Sequence, residues 1–538
     1  MRSRGSLHFA VLSVGMTLAT SLFAGSQVVA KKAALATTSP VTTQLGLRIL
    51  QSGGNAADAA VAIGFALGVV QPHAAGLGGG GFLVYFDAKT KGVWALDFRE
   101  AAPSAAKSDM FKARSARLGP IGAGVPGTVA GLAALHERFG SQTWRALVAP
   151  AAALAHGGVK VDADVAAAIV AAKNERHIEQ FKSTAALIDK KRGDVLVQPD
   201  LAATLDRLGE RGGRDFYDGE LARRLVDAIR AGGGIVTDRD LHDYAAAWRS
   251  PIRIAFRNHA ICMPPPPSTG AFVVAEAMNI LGGYPLDPSA KTFHYLAEAE
   301  RRAALDRDRY LGDPDQGRLP WRELLSEERA KAWRATIDPN RVTPNATLAE
   351  PAAAPATETA HTAHYSIYDA QGNAASVTLT LDDDFGGGFV VPGLGFALND
   401  AMHDFTTVTA NALGPSRRPA SSLSPTIVLR DGIPLLIEGT SGGATIPTTM
   451  LQIILRSVVF TQPLADAIAA PRFHQDAAVE DILYERDRAP RAIVEALMAM
   501  GHGVRATDSI GNVSAVGVYG ERIFAVADPR HGGAAGGY

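Results

Sequence analysis

Three short stretches of this sequence carry residue types that can support covalent chemistry. The first is HTAHYSIYD, residues 361–369, followed by AQGN and then AASVTLTL. Polar and apolar residues alternate on both sides of a turn, so the segment reads as a β-hairpin. Folding it about Gln371 sets Thr362 opposite Thr380 and puts Ser376, Thr378 and Thr380 on one face. Cross-strand threonine pairs are common in packed sheets, and that ordinary role is one reading of Thr362. The other is nucleophilic. Residues 338–361 are rich in Pro, Ala, Thr and Asn with little periodicity, and read as a linker ending at this strand. Cutting the bond between His361 and Thr362 would give Thr362 a free α-amine, a general base for its own hydroxyl.

The second stretch is GTSGG, residues 439–443, a GxSxG match with an apolar strand before it and a helical pattern after it. It reads either as a Ser441 nucleophile, with Asp466 and His474 following in serine-hydrolase order, or as Gly442 and Gly443 presenting N–H groups to an oxyanion. The hairpins upstream speak against the parallel sheet that the serine-hydrolase fold needs. The third, GLGGGG at residues 76–81, matches GxGxxG, but it follows a helix and opens a strand. A dinucleotide loop requires the reverse order, so these glycines read as points of close backbone approach. The 14 histidines include no HExxH or paired ligand spacing. No metal and no cofactor is expected.

The elements around these stretches are helices and antiparallel strands. AADAAVAIGFALGVV is apolar nearly all round, with Asn55 as N-cap and Pro72 beyond its end, so it predicts a buried helix. FLVYFDAKTKGVWALDFRE reads as a hairpin, residues 120–240 as mostly helical, and AFVVAEAMNILGG and KTFHYLAEAERRAALDRDRYLG as helices. SPTIVL-RDG-IPLLIEG and GNVSAVGVY with RIFAVADP are further strand pairs. Helices packed on antiparallel strands give an α+β class.

The chain has 538 residues, 47% hydrophobic and 20% charged, with a net charge of −1. Such a balance offers nothing to a nucleic-acid backbone. The N-terminus, MRSRGSLHF followed by FAVLSVGMTLATSLFAG and SQVVA, predicts a signal peptide over residues 1–30, cut near Ala30. A secreted or periplasmic protein with no membrane span after signal removal is therefore expected. Cys262 is the sole cysteine and reads as a buried small hydrophobe.

Taken together, GGNAADAAVA, GLGGGGF, ALDFREAAP, GVPGTVAG, MPPPPSTG, DRDRYLGDP, TAHYS, RPASSLSPTIV, GTSGGATI and DPRHGGAAGGY occur in an order that resembles the γ-glutamyltranspeptidases. These are self-processing members of the N-terminal-nucleophile hydrolase superfamily. The resemblance spans nearly all of the mature chain. It implies an αββα four-layer sandwich built from a large subunit, residues 31–361, and a small subunit, residues 362–538. It implies Thr362 as nucleophile, Thr380 as its orienting partner, and Gly442 and Gly443 as the oxyanion hole. Arg99 would clamp a substrate α-carboxylate with help from Ser421 and Ser422, and Asp404 would receive the α-ammonium. The implied reaction cleaves γ-glutamyl amides such as glutathione through a γ-glutamyl ester, then passes the acyl group to water, an amino acid or a peptide.

Four positions depart from the family pattern. Asp382 stands where Asn is usual and Ala401 where Gln or Glu is usual. Ala363 replaces a second threonine, and TTVTANALGPSR, residues 406–417, is short for the lid region. Asp382 is expected to join the substrate contacts. The same fold acting on another acyl group, of the glutaryl or cephalosporin-acylase kind, is the alternative these departures raise. A Ser441 hydrolase is the other.

Overall fold

Asn55 caps the helix Ala56–Val70 as its sequence predicts: its side chain accepts from the N–H groups of Ala57 and Asp58, and the Asp58 carboxylate returns a bond to the Asn55 N–H. Every residue of this helix but Gly68 is buried. The computed structural model describes residues 27–112, 115–348, 362–477 and 481–538. No described helix is long and apolar enough to cross a membrane.

Two seven-stranded sheets form the centre. The first runs, in spatial order, β14 (Ala534–Gly537), β2 (Ala34–Thr37), β8 (Thr362–Tyr368), β9 (Ala374–Thr380), β3 (Gly80–Asp87), β4 (Gly92–Asp97) and β5 (Ala247–Arg249). The second runs β1 (Gln27–Ala30), β13 (Arg522–Ala527), β12 (Asn512–Tyr519), β11 (Ile433–Ser441), β10 (Thr426–Arg430), β7 (His259–Met263) and β6 (Ile252–Phe256). Neighbours in both sheets pair antiparallel. Helices that include Ala56–Val70 and Thr128–Phe139 pack on the first sheet. Thr269–Leu281, Ala290–Tyr310 and Ile446–Ile454 pack on the second. Between the sheets lie Ala36, Val84, Phe86, Cys262, Ile427, Ile437 and Val516. The architecture is the expected αββα sandwich, with Cys262 buried in its middle.

The β8–β9 register is the expected one: Thr362 pairs with Thr380, His364 with Thr378 and Ser366 with Ser376. The turn is held by Asp369, whose Oδ1 accepts from the Gln371 and Asn373 N–H groups, at 2.9 Å each. Its Oδ2 accepts from the Ala56 N–H at 2.8 Å, which fixes the hairpin to the buried helix. The polar face of the hairpin points at the second sheet. Ser366 Oγ donates to the Ser514 carbonyl at 2.9 Å and Ser376 Oγ to the Glu438 carbonyl at 2.7 Å. His364 lies between these contacts, under Gly439.

Two sequence expectations meet different surroundings here. Residues 27–30, the end of the expected leader, form β1 and pair with β13 from Gln27↔Val526 to Ala30↔Ile523. A cut near Ala30 would remove that edge strand. Residues 1–26 lie outside the described residues. The expected linker is not slack over its first part: the Val342 N–H donates to the Met500 carbonyl at 2.9 Å, and Arg301 donates to the Thr343 carbonyl at 2.8 Å. Thr343 Oγ1 also donates to Glu298 Oε2. Buried charges on the helix Ala290–Tyr310 thus anchor this segment. Residues 349–361, with His361, lie outside the described residues.

The close approach of the sheets gives a stability test. A Cβ at Gly439 would lie 2.2 Å from the His364 ring, whereas one at Gly157 meets nothing within 4 Å. Gly439→Ala is expected to cost at least about 1–3 kcal/mol and lower the thermal midpoint. Gly157→Ala, at the end of a helix, is expected to be neutral or slightly stabilising. Differential scanning calorimetry of both variants checks the contrast.

Candidate active site

Thr362 is the first residue of β8 and is only 7% exposed. Its Oγ1 donates to Thr380 Oγ1 at 3.4 Å. Thr380 Oγ1 also accepts from the Asp382 N–H at 2.9 Å. The strand that carries Thr380 can pack this closely because β3 begins in glycine: a Cβ at Gly79 would sit 2.1 Å from the Thr380 carbonyl oxygen. The GLGGGG run therefore brings β3 against the far side of β9, a role in backbone packing and not in phosphate binding.

On the other sheet, β11 ends at Ser441 and the chain turns through Gly442 and Gly443, at φ 138° and 54°. Both values favour glycine. The turn continues through Gly443–Thr445 into the helix Ile446–Ile454. N–H groups at a helix start lack intrahelical acceptors and suit an anionic oxygen. Gly442 and Ser441 line a cavity of about 310 Å³ together with Thr362. The Ser441 triad does not form. Ser441 lies in an antiparallel pair with Asn512. His474 Nδ1 instead meets Thr448 Oγ1 at 3.0 Å, and Asp466 sits in the separate helix Leu464–Ala469. The parallel sheet required by that alternative is absent from both central sheets.

Arg99 follows β4 and is fully buried. Asp97 Oδ1 accepts its N–H at 2.9 Å, and Tyr244 donates to its carbonyl at 2.8 Å, so its backbone is fixed. Its guanidinium meets Glu100 at 3.0 Å and Asp382 at 3.4 Å, and makes a short contact with Asp404. His403 Nε2 lies 3.3 Å from Asp404 Oδ1. Asp382, His403 and Asp404 are close enough to offer ligand atoms to a cation; the Arg99 guanidinium already sits on both carboxylates. Ser421 and Ser422 are buried at the start of the helix Thr269–Leu281, where the Ser421 carbonyl accepts from the Thr269 and Gly270 N–H groups. Asn411 links them to the acid cluster: its Nδ2 donates to the Asp404 carbonyl at 2.8 Å and its Oδ1 accepts from the Ala420 N–H at 2.9 Å.

Thr362, Thr380, Asp382, Arg99 and Asp404 thus form one continuous chain of contacts. Gly442 joins Thr362 through the cavity, and Asn411 runs from the Asp404 carbonyl to Ala420, the residue before Ser421. Ala401 is buried and its N–H donates to Asn399 Oδ1 at 3.1 Å. The composition around this chain contains more acid than base. Burial pushes the Glu100 carboxyl up to about 7 against the opposing pull of Arg99. Burial, with Asp383 beside it, also raises Asp400. Burial works on Asp382 in the same direction, but Arg99 and His403 outweigh it and hold that carboxyl below its usual range.

Sequence reasoning missed the residues that hold this region. Arg117 meets Asp383 at 2.8 Å. Arg176 meets Asp400 at 3.1 Å and donates to the carbonyls of Asp384 and Gly386 at 2.7 and 2.6 Å. The triplet Asp382–Asp384 signals that cations must lie close by, but nothing local says which. Asn399, which donates to the Gly78 and Gly124 carbonyls, carries no motif of its own.

The chain matches the family model described as Gamma-glutamyltranspeptidase over residues 42–538. It belongs to that family. It is 36% identical over 531 residues to a glutathione hydrolase proenzyme of Escherichia coli (strain K12), covering 93% of this chain and 91% of the relative. It is 38% identical over 496 residues to another from Pseudomonas sp. (strain A14), covering 87% and 86%. Among solved structures, a cephalosporin acylase from Bacillus halodurans superposes with a TM-score of 0.87 at 27% identity, covering 96% of this chain and 97% of that one. The Helicobacter pylori gamma-glutamyltranspeptidase matches with a TM-score of 0.55 at 37% identity, covering 57% and 91%. The fold, the enzyme class and the family expected from the ordered motifs therefore stand.

Two residues beyond Thr362, His364 is wholly buried between Thr378 Oγ1 at 2.9 Å and Ser366 Oγ at 3.0 Å. Burial lowers its pKa from 6.5 to about 3. A histidine kept neutral in the fold but free to protonate when unfolded stabilises fully above pH 6.5. That contribution is lost as pH falls from 6.5 towards 3, because the unfolded chain then binds the extra proton. Against wild type, His364→Asn is expected to lose less of its thermal midpoint between pH 6.5 and 4. Parallel midpoint-against-pH curves for the two proteins would show that His364 does not carry this loss.

Proposed function

We propose that this chain is a self-cleaving threonine hydrolase and acyltransferase of γ-glutamyl amides, glutathione among them. The observation that carries the reading is the placement of Thr362: first in a buried strand, bonded to Thr380, and sharing a cavity with the Gly442 turn. In the uncut chain Thr362 Oγ attacks the His361 carbonyl carbon. The His361–Thr362 amide breaks as an ester forms, and water releases the large subunit ending at His361. The small subunit then begins at Thr362, whose free α-amine takes the hydroxyl proton in each later turnover. Thr380 orients that hydroxyl.

The substrate γ-carbonyl receives Thr362 Oγ, and the oxyanion is met by the N–H groups of Gly442 and Gly443. The amine departs, as cysteinylglycine when the donor is glutathione. The γ-glutamyl ester passes its acyl group to water or to an amino acid or peptide. Arg99, with Ser421 and Ser422, receives the α-carboxylate, and Asp404 and Asp382 receive the α-ammonium. Export to the periplasm or medium follows from the leader, whose removal ahead of Gln27 would keep β1.

Thr362→Ala is expected to leave a single polypeptide with no γ-glutamyl-anilide turnover, whereas wild type gives two fragments on a denaturing gel. A cut and active Thr362→Ala protein would defeat the assignment, and so would an inactive Ser441→Ala protein that is still cut and folded.

Asp382 makes the donor site self-competing. Its carboxylate occupies Arg99, the group meant for the substrate carboxylate. Asp382→Asn removes that competitor and keeps an acceptor for the ammonium. The variant is expected to lower KM for a γ-glutamyl anilide by roughly tenfold, the equivalent of one charge-assisted contact. An unchanged or raised KM in a normally cut variant would mean that the Asp382 carboxylate does not compete with the substrate carboxylate for Arg99.

A further inference from the structure

His403 stands inside the acid cluster, on the short turn Ala401–Asp404. Its side chain is only 6% exposed. Nδ1 lies 2.9 Å from the Asp400 carbonyl, which can only accept, so Nδ1 carries the proton and donates. In the neutral ring Nε2 then holds a lone pair. It makes no hydrogen bond among the described residues, and it faces Asp404 Oδ1 at 3.3 Å. Two acceptors so placed repel each other unless a proton or a cation lies between them.

Their separation fits a metal ion. Two ligand atoms bound to a tetrahedral zinc ion stand about 3.3 Å apart. A ligating imidazole is held by its other ring nitrogen, which donates to a carbonyl or carboxylate, as Nδ1 does here. Asp382 supplies a third ligand: one atom from each of Asp382, His403 and Asp404 lies within 4.8 Å of the other two. Arg99 meets Asp404 through Oδ2, not through the Oδ1 that faces His403, and it meets Asp382 at 3.4 Å. A second set, Asp383, Asp400 and His403, is equally close together. There, however, Arg117 and Arg176 meet the two carboxylates at 2.8 and 3.1 Å, and Nδ1 is spent on the Asp400 backbone.

The charge balance also calls for a cation. The ion pairs of this region set five carboxyls, Glu100, Asp382, Asp383, Asp400 and Asp404, against three guanidinium groups, Arg99, Arg117 and Arg176. Five against three leaves a surplus of two, the charge of one divalent ion. An imidazole with carboxylate oxygens suits zinc and its neighbours in the transition series, whereas calcium and magnesium take oxygen ligands. Because Asp382 is one of the departures from the family pattern, the site does not follow from family membership.

We propose that Asp382, His403 and Asp404 form a site for a divalent transition-metal ion of the zinc type, and that the bound ion excludes the γ-glutamyl donor. The exclusion rests on the proposed function, in which Asp404 and Asp382 receive the donor ammonium. The metal site itself stands on His403 and its surroundings. The ion acts as a reversible inhibitor: it takes the place of the ammonium and enters no step of the reaction.

The test is a titration of chelator-treated, fully cut enzyme with Zn2+ by calorimetry, repeated with Co2+, whose tetrahedral complexes absorb visible light. Wild type is expected to bind a single Zn2+ and to show the Co2+ bands. In His403→Asn the amide can still donate to the Asp400 carbonyl, but no Nε2 remains. That variant and Asp382→Asn should each be cut, weaken Zn2+ binding by about tenfold or more, and lose the Co2+ bands. Absence of binding in wild type, or unchanged affinity in both cut variants, would overturn the site. In kinetics, Zn2+ should raise KM for a γ-glutamyl anilide and leave kcat unchanged. A fall in kcat at constant KM would overturn the exclusion. Wild type that binds Zn2+ through His403 but releases no anilide product would sink the underlying functional reading and uphold the metal site.

Discussion

The pairing of Thr362–Tyr368 with Ala374–Thr380 is the constraint on which the site depends. Side chains alternate along a strand, so a slip of one residue would turn every polar group of this hairpin from the intersheet seam to the helix layer. The slip is opposed from three directions. Asp369 ties the turn to the first N–H of the helix Ala56–Val70. Ser366 and Ser376 are bonded to carbonyls of the second sheet. Gly79, just before β3, and Gly81, within it, close on the Thr380 and Thr378 carbonyls. With the register fixed, Thr362 and Thr380 face each other at the end of the seam, where β11 turns through Gly442.

That seam is polar in the middle of a large apolar body, and the molecule tolerates it because almost every group has a partner. His364 shows the principle on a small scale. A neutral imidazole can accept on one nitrogen and donate on the other, and its two hydroxyl neighbours satisfy both. A protonated ring would have to donate twice and carry a charge with no carboxylate at hand. The acid cluster around Arg99 is the contrasting case. Many carboxyls share few guanidinium groups: burial raises the pKa of Glu100 and Asp400, while Arg99 and His403 hold Asp382 below its usual range. A cluster with surplus acid favours a ligand that brings a cation, as a γ-glutamyl group does with its ammonium.

Much of this was legible in the sequence because it is local. Alternation and the AQGN turn give the hairpin and its register. Asn55 and Asp58 give the helix cap, and the order of helix, glycines and strand rules out a nucleotide loop. What was not legible depends on contacts between distant segments. Arg117 and Arg176 look like any other arginine until the loop after Thr380 is folded onto them. The segment after Asp338 has the composition of a linker, but it is pinned by Glu298 and Arg301 of a helix whose buried charges have no local signature. The end of the expected leader reads as expendable from its small residues, whereas Gln27–Ala30 pairs along the edge of β13. Composition describes what a segment can do alone, and each of these segments is held by something far away in the chain.

Asp382 joins these two levels. Its backbone N–H is bonded to the Thr380 hydroxyl that meets Thr362, and its carboxylate is bonded to Arg99. Its φ of 84° lies in the left-handed region, which costs a non-glycine residue about 1–3 kcal/mol unless the surroundings enforce it. Here both ends of the residue are fixed, one by the strand that bears Thr380 and one by a guanidinium whose backbone is itself held by Asp97 and Tyr244. The backbone conformation and the ion pair therefore stabilise each other. A substrate that draws Arg99 away from Asp382 also loosens the residue that presents its N–H to Thr380. Under the proposed function, occupancy of the acyl site and the orientation of Thr362 are in this way coupled through one residue, across two bonds and no moving domain.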